Sequence, residues 1–250
     1  RNRMAKKTKN TMLLYGKNSV FERLKVDPGS IKEIFLQDNF KVPRIEELIS
    51  SHDIPVARLS FKDMNKIKHA KNFQGIIAKV DAFGYASFDE LIELPKEKKS
   101  TVIFLDRIND PQNLGVIIRT VSCFGGFSLV IPSHEACEVN ETVLHVASGG
   151  ENYVKIAMLS NFSNAIIQAK EQGYWIVGAM VSDDAEDINK VALPFPLGLV
   201  IGSEGEGIRH GLKKHLDVRV MIPMQGAKLS FNVNMACVIL CHEICKQRRS

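Results

Sequence analysis

The chain has 250 residues, 45% of them apolar and 24% charged, with a net charge of +5. That length serves one large domain or two small ones, and no apolar run approaches the roughly 18 residues of a helical membrane span. Five cysteines, an odd set with no Cys-x-x-Cys pair, argue against a disulfide-stapled scaffold and for a reducing compartment.

The opening Arg1-Asn-Arg-Met-Ala-Lys-Lys-Thr-Lys lacks the apolar core of a secretion signal, which sets the expectation of a cytoplasmic protein. Arg1, Arg3, Lys6, Lys7 and Lys9 account for the whole net positive charge. Residues 1–10 therefore read as a basic tail, either an arm for nucleic-acid phosphates or a solvated extension. Residues 11–81 read as a compact α/β unit. Helices are expected around Ser19–Leu24, Arg44–Ser51 and Phe61–His69, and strands at Ile31–Gln37, Pro55–Leu59 and Gly75–Val80. Gly84, Pro95 and the charged run Lys96-Glu-Lys-Lys-Ser100 mark residues 82–100 as a linker, with room for a helical turn at Phe88–Leu94.

From Thr101 onward, apolar runs at Val102–Leu105, Ser128–Ile131, Tyr153–Met158, Trp175–Ala179, Leu197–Ile201 and Val218–Ile222 predict strands. Helical patterns separate them at Gly115–Cys123, Glu141–Ala147, Phe162–Glu171, Ile208–His215 and Asn232–Lys246. Continuous apolar strands divided by helices predict a mostly parallel sheet covered on both faces, with ligands beyond the carboxyl ends of its strands. Cys237, Cys241 and Cys245, with His242 nearby, recur at helical spacing. Val233, Ala236, Cys237, Leu240, Cys241 and Ile244 form one apolar stripe, so these cysteines read as packing residues rather than metal ligands.

Three segments at strand ends carry polar residues beside glycines: Asp106 to Thr120, Leu199 to Gly207 and Ile222 to Val233. Such clusters build ligand pockets from backbone groups and a few fixed side chains. The spacing Gly202-x-x-Gly205-x-Gly207 is the reverse of the Gly-x-Gly-x-x-Gly dinucleotide fingerprint and lies late in the chain, and no Walker lysine follows it. The loop is either a tight turn or a place where backbone meets a flat or sugar-bearing ligand. Glu204 is either a solvated turn carboxylate or the orienting group for a cation such as Arg119. Arg119, two helical turns beyond Asn113, is either a surface arginine or a fork of donors for phosphate or ribose oxygens.

Taken together, Asn113-x-Gly115-x-x-x-Arg119-Thr, Gly202-x-Glu204-Gly205-x-Gly207 and Ile222-Pro-Met-x-Gly226 leading to Ser230-x-Asn232-Val233 resemble the three signature motifs of the SpoU (TrmH-type) RNA ribose 2′-O-methyltransferases. All three occur in order across residues 101–250. Leu14-Tyr-Gly16-x-Asn-Ser-Val20 and Phe73-Gln-Gly75-Ile-Ile-Ala78 resemble the start and close of the family's small ribosomal-protein-like RNA-binding domain. The resemblance implies a homodimer, a deep trefoil knot within residues 197–250 (the SPOUT fold), and S-adenosyl-L-methionine as cofactor, with no metal and no membrane. It implies that Gly202, Ile222, Phe231, Met180, Gly207 and Met224 hold the cofactor. It assigns Arg119, Asn113, Glu204, Ser230 and Asn232 to the catalytic centre, with Arg119 as base or, more conservatively, as a clamp on phosphate and emerging alkoxide. As caps and turn formers the polar four have an ordinary structural reading as well. Phe73 stands where the family has His, Phe231 where it has Leu, and Asn234 where it has a small residue; these departures bear on specificity. The two-domain layout most resembles enzymes acting on a guanosine of 23S ribosomal RNA. A transfer-RNA guanosine, a ribosomal-RNA adenosine, or a non-catalytic RNA-binding role on the same fold are the alternatives.

Overall fold

The computed structural model describes residues 10–69, 72–93, 100–226 and 229–249. The expected basic tail (residues 1–9) and part of the expected linker (94–99) lie outside the described residues. The amino-terminal unit is a four-stranded sheet of β1 (Thr11–Tyr15), β2 (Ile31–Gln37), β3 (Val56–Leu59) and β4 (Ile76–Asp81), in the order β1-β4-β2-β3. Helices α1 (Lys17–Val26), α2 (Pro43–Ser51) and α3 (Phe61–Ile67) connect it. Local chemistry sets their starts. Pro43 opens α2 with its fixed φ, and Ser60 caps α3 by accepting from the Asp63 amide at 3.2 Å.

Strand β1 is absent from the sequence expectation. It is a short pentad that holds its conformation by pairing antiparallel with β4, Leu14 opposite Ala78, a partner more than 60 residues away in the chain. Phe73, expected to bear on an RNA contact, is instead buried at 2% exposure among Tyr15, Met64 and Ile77. An apolar ring there is a packing residue.

The second unit is a seven-stranded, all-parallel sheet: β5 (Thr101–Asp106), β6 (Phe127–Pro132), β7 (Ile156–Leu159), β8 (Trp175–Ala179), β9 (Glu186–Asp187), β10 (Leu197–Gly202) and β11 (Val218–Met221). Their order is β7-β6-β5-β10-β8-β11-β9. Period-two alternation splits β5 between two cores. Ile103 and Leu105 join Ile117, Leu199 and Leu240 on one face, while Val102 and Phe104 join Val130, Ile166 and Val200 on the other. Helices α5 (Pro111–Phe124), α6 (Glu141–Ala147) and α9 (Val233–Arg249) contribute to the first core; α4 (Phe88–Ile92), α7 (Phe162–Glu171) and α8 (His210–Lys213) contribute to the second. Phe88, Leu91 and Ile92, within the expected linker, are thus part of the second core. The cysteine stripe packs inward as expected: Cys237 and Cys241 are fully buried, with sulfurs 3.9 Å apart.

The first core also takes in Leu14, Leu24 and Ile34, so the two units share apolar packing. Polar bonds fix the junction. The Leu13 amide donates to Glu141 at 2.9 Å, His145 Nδ1 bonds the Tyr15 carbonyl at 2.9 Å, and Arg23 pairs with Glu151 at 3.4 Å. Strand order reverses between β5 and β10, where Gly202 lies beside Asp106 in register. Such reversals open a crevice at the carboxyl ends of parallel strands.

Candidate active site

The loop after β10 is shaped by its own backbone. A Cβ on Gly202 would fall 2.1 Å from the carbonyl carbon of Gly207, so only glycine fits. Gly207 has φ +62 and its amide returns to the Ser203 carbonyl at 2.9 Å, closing the turn. Two arginines that the sequence motifs do not include secure it. Arg107 pairs with Glu206 and donates to the Gly207 carbonyl at 3.4 Å. Arg209 pairs with Asp106, fully buried at the end of β5, which also accepts from the Arg209 amide at 2.8 Å. A buried carboxylate so paired is held in place on both oxygens. The Asp106-Arg107 pair ending an apolar run was the available sequence signal.

This loop walls a cavity of about 360 Å³, within the ~300–1,000 Å³ usual for small-molecule sites. Met180 after β8, Gly202 and Gly207, Ile222 and Met224 after β11, and Phe231 before α9 all line it, as do Glu204 and Ser230. The structure thus brings together all six residues named for the cofactor. Apolar side chains suit a flat base, the glycine turn leaves backbone groups for sugar oxygens, and the Glu204 carboxylate suits a cationic sulfonium. The donor set fits a sulfonium nucleoside.

Glu204 sits in an amide network. Its Oε1 accepts from Asn113 Nδ2 at 3.2 Å, from Asn232 Nδ2, and from the Val233 amide at 3.4 Å. Asn232 Oδ1 in turn accepts from the Asn234 amide at 2.9 Å, and Asn234 Nδ2 donates to Asn113 Oδ1 at 2.7 Å. These four residues close a ring, through the side chains of Glu204, Asn113 and Asn232 and through both the side chain and the backbone amide of Asn234. A carboxylate only accepts, so Asn113 must turn its NH₂ to Glu204 and its oxygen to Asn234, and the orientation of Asn234 follows. Asn232 serves as helix cap and site residue at once. Asn234, which the sequence marks only as a departure from the family, is a member of this ring that the motifs do not reveal.

Ser230 lines the cavity without a hydrogen bond among the described residues. Arg119 is not brought to Glu204 within the chain: it is exposed and lines a different crevice with Asn18, Gln74 and His145. The reason is helical geometry. Six residues at ~100° each turn Arg119 about 240° away from Asn113 on α5. Among the described residues there is no group of three or more His, Cys, Asp or Glu placed to hold a metal ion, and no helix is long and apolar enough to cross a membrane.

Residues 100–242 match the model of the SpoU rRNA Methylase family, and residues 13–86 match that of the RNA 2′-O ribose methyltransferase substrate-binding domain. The chain is 30% identical over 241 residues to the 23S rRNA (guanosine-2′-O-)-methyltransferase RlmB of Ralstonia nicotianae, covering 94% of this chain and 96% of that protein. Among solved structures it is similar to the SpoU methyltransferase AviRb of Streptomyces viridochromogenes in complex with AdoMet, with TM-score 0.82 at 18% identity over 99% of this chain and 94% of that one. It is also similar to the AdoMet-bound rRNA methyltransferase of Sinorhizobium meliloti, with TM-score 0.78 at 20% identity over 95% and 87% of the two chains. With a family model spanning more than half of its length, the chain belongs to the SpoU rRNA methylase family, enzymes that methylate RNA with S-adenosylmethionine.

Proposed function

We propose that this protein transfers a methyl group to the ribose 2′-oxygen of a guanosine in 23S ribosomal RNA. The observation that carries the reading is the cavity at the Gly202–Gly207 turn, with Glu204 on its wall tied to Asn113 and Asn232. The preference for 23S ribosomal RNA rests on the Ralstonia relative, which the chain matches along almost its whole length. When bound, S-adenosylmethionine supplies a sulfonium-activated methyl group. The chain's own residues do the rest. Gly202, Gly207, Ile222, Met224, Met180 and Phe231, which line the cavity, would hold the cofactor. Glu204, fixed on one oxygen by two amides, orients the acceptor ribose together with Ser230. Arg119 holds a substrate phosphate and stabilises negative charge on the 2′-oxygen as the hydroxyl proton passes to solvent, a role its always-charged guanidinium suits better than that of base.

Because Arg119 stands apart from the cavity of its own chain, the site is completed in a homodimer. Val181, Leu229, Phe231, Met235 and Val238 are exposed apolar side chains near the cavity or on α9, a surface that a second copy would cover. The trefoil knot within residues 197–250 belongs to the same proposal, supported by the convergence of the 203–207 and 222–231 segments on one cavity. The domain division at residues 82–100 belongs to it too. The test is methyl transfer from labelled S-adenosylmethionine to unmodified 23S ribosomal RNA and to transfer RNA, followed by mapping of 2′-O-methyl positions. A single guanosine in the 23S transcript is the expected product; methylation confined to transfer RNA would overturn the assignment of substrate.

A further inference from the structure

We propose that the RNA strand reaches Arg119 along a donor-lined track that begins on the amino-terminal domain. This deepens the reading above and rests on it. A crevice of about 450 Å³ lies between the two domains, with Asn18 and Gln74 on one side and Gln112, Arg119 and His145 on the other. A second depression of about 310 Å³ on the amino-terminal domain is lined by Lys17, Lys41 and Arg44, and it shares Asn18 with the first. The two adjoin at Asn18, and among the described residues no carboxylate lines either one.

Among the described residues no ion pair neutralises the charges along this path. Among the described residues, Lys17, Lys41, Arg44 and Arg119 have no carboxylate within the 4.0 Å of an ion pair. By contrast Arg23, Arg58, Arg107, Arg209 and Arg219 are each paired. A row of unpaired cations with no acid among them is the footprint of a polyanion. Hydrogen-bond roles in the crevice add detail. Gln74 Oε1 accepts from the Lys17 amide at 2.9 Å, which leaves its NH₂ as a donor for phosphate oxygen. His145 Nδ1 lies 2.9 Å from the Tyr15 carbonyl, which only accepts, so Nδ1 carries a proton, and in that tautomer Nε2 is an acceptor. An acceptor among donors suits a ribose hydroxyl, the group that separates RNA from DNA. The crevice is also set by the fold, since His145 stacks on Tyr15 at 4.2 Å across the domain junction.

The experiment measures binding of the full chain to an unmodified 23S ribosomal RNA transcript at several salt concentrations. Lys41→Glu/Arg44→Glu reverses the outer track and Gln74→Glu sets a carboxylate opposite Arg119; Lys41→Gln/Arg44→Gln is the milder pair should the reversal fail to fold. Calorimetric titration with S-adenosylmethionine reports the integrity of each variant. The expected result is RNA affinity lower by roughly 10-fold or more in the reversed pair, with unchanged cofactor affinity. The slope of log affinity against log salt should fall by about 0.7 for each phosphate that the protein no longer neutralises. Affinity and slope equal to those of the wild type in both variants, with cofactor binding intact, would overturn the track. Binding is read apart from methylation, so a wild type that binds RNA along this track but methylates none would count against the proposed reaction alone.

Discussion

Glu204 takes three hydrogen bonds through one oxygen, from Asn113, Asn232 and the Val233 amide. Removing the side chain leaves two amides and a backbone N–H without their acceptor at the wall of the cavity. Glu204→Ala is therefore expected to lower the rate of a single methyl transfer by ~100-fold or more, the scale seen when one preorganised polar group is lost. Unchanged turnover would reduce Glu204 to a solvated turn carboxylate. Asn234 gives a sharper contrast. Its Oδ1 is buried without a partner, and such an orphan costs about 1–3 kcal/mol. Asn234→Ala loses one hydrogen bond but also removes the orphan, so unfolding free energy should stay within ~1 kcal/mol of wild type. The rate should nonetheless fall several-fold, because Asn113 is freed to rotate away from Glu204. A stability loss with full activity would show that Asn234 only packs. Both asparagines were visible in the sequence, Asn113 as a motif residue and Asn234 as an oddity. Their mutual bond was not, because they lie 121 residues apart in the chain.

At the scale of elements, the sequence pattern is most informative where burial is two-sided. Strands β8 and β10 and helices α6 and α7 follow their apolar patterns closely because both sheet faces are covered. The misses have a common cause. β1 and the two-residue β9 exist through pairing with β4 and β11; neither has enough local pattern to be read alone. Helix α5 starts at Pro111, earlier than the apolar pattern implied, on the strength of the Asp110 cap, whose side chain accepts from Gln112 at 2.8 Å. Gly115 on that helix answers to packing, since a Cβ there would lie 2.6 Å from Val146 of α6. The seam between α1 and the turn after α6 carries its own prediction. Burial pushes the Glu151 carboxyl up in pKa against the pull of Arg23, and both side chains are nine-tenths or more buried. Glu151→Ala leaves the Arg23 guanidinium buried without its carboxylate, so chemical denaturation should show a loss of about 3–5 kcal/mol. A loss below ~1 kcal/mol would mean that water already reaches the pair.

The whole molecule decides whether the proposed chemistry is possible at all, because the cavity and Arg119 occupy separate places on one chain. If two copies complete each other, Arg119→Ala and Glu204→Ala homodimers are each inactive. Mixing and reassociating them in equal amounts makes heterodimers half of the population, and each then has one intact site. Activity should recover to about a quarter of wild type. No recovery in a mixture shown to exchange subunits would place Arg119 and the cavity of the same chain in one site, against the geometry of α5.

By itself the sequence determined the α/β class, the parallel sheet and the motifs that carry the family resemblance. These depend on period-two and helical patterning and on glycines whose backbone has no room for a side chain, all of them local properties. Only the tertiary structure decided that Phe73 is core, that Phe88, Leu91 and Ile92 of α4 are packed, that Asn234 completes the Glu204 ring, and that Arg119 turns toward the amino-terminal domain. Each of those depends on which distant residues meet, and that is set by strand order and helix rotation, which no short stretch of chain encodes.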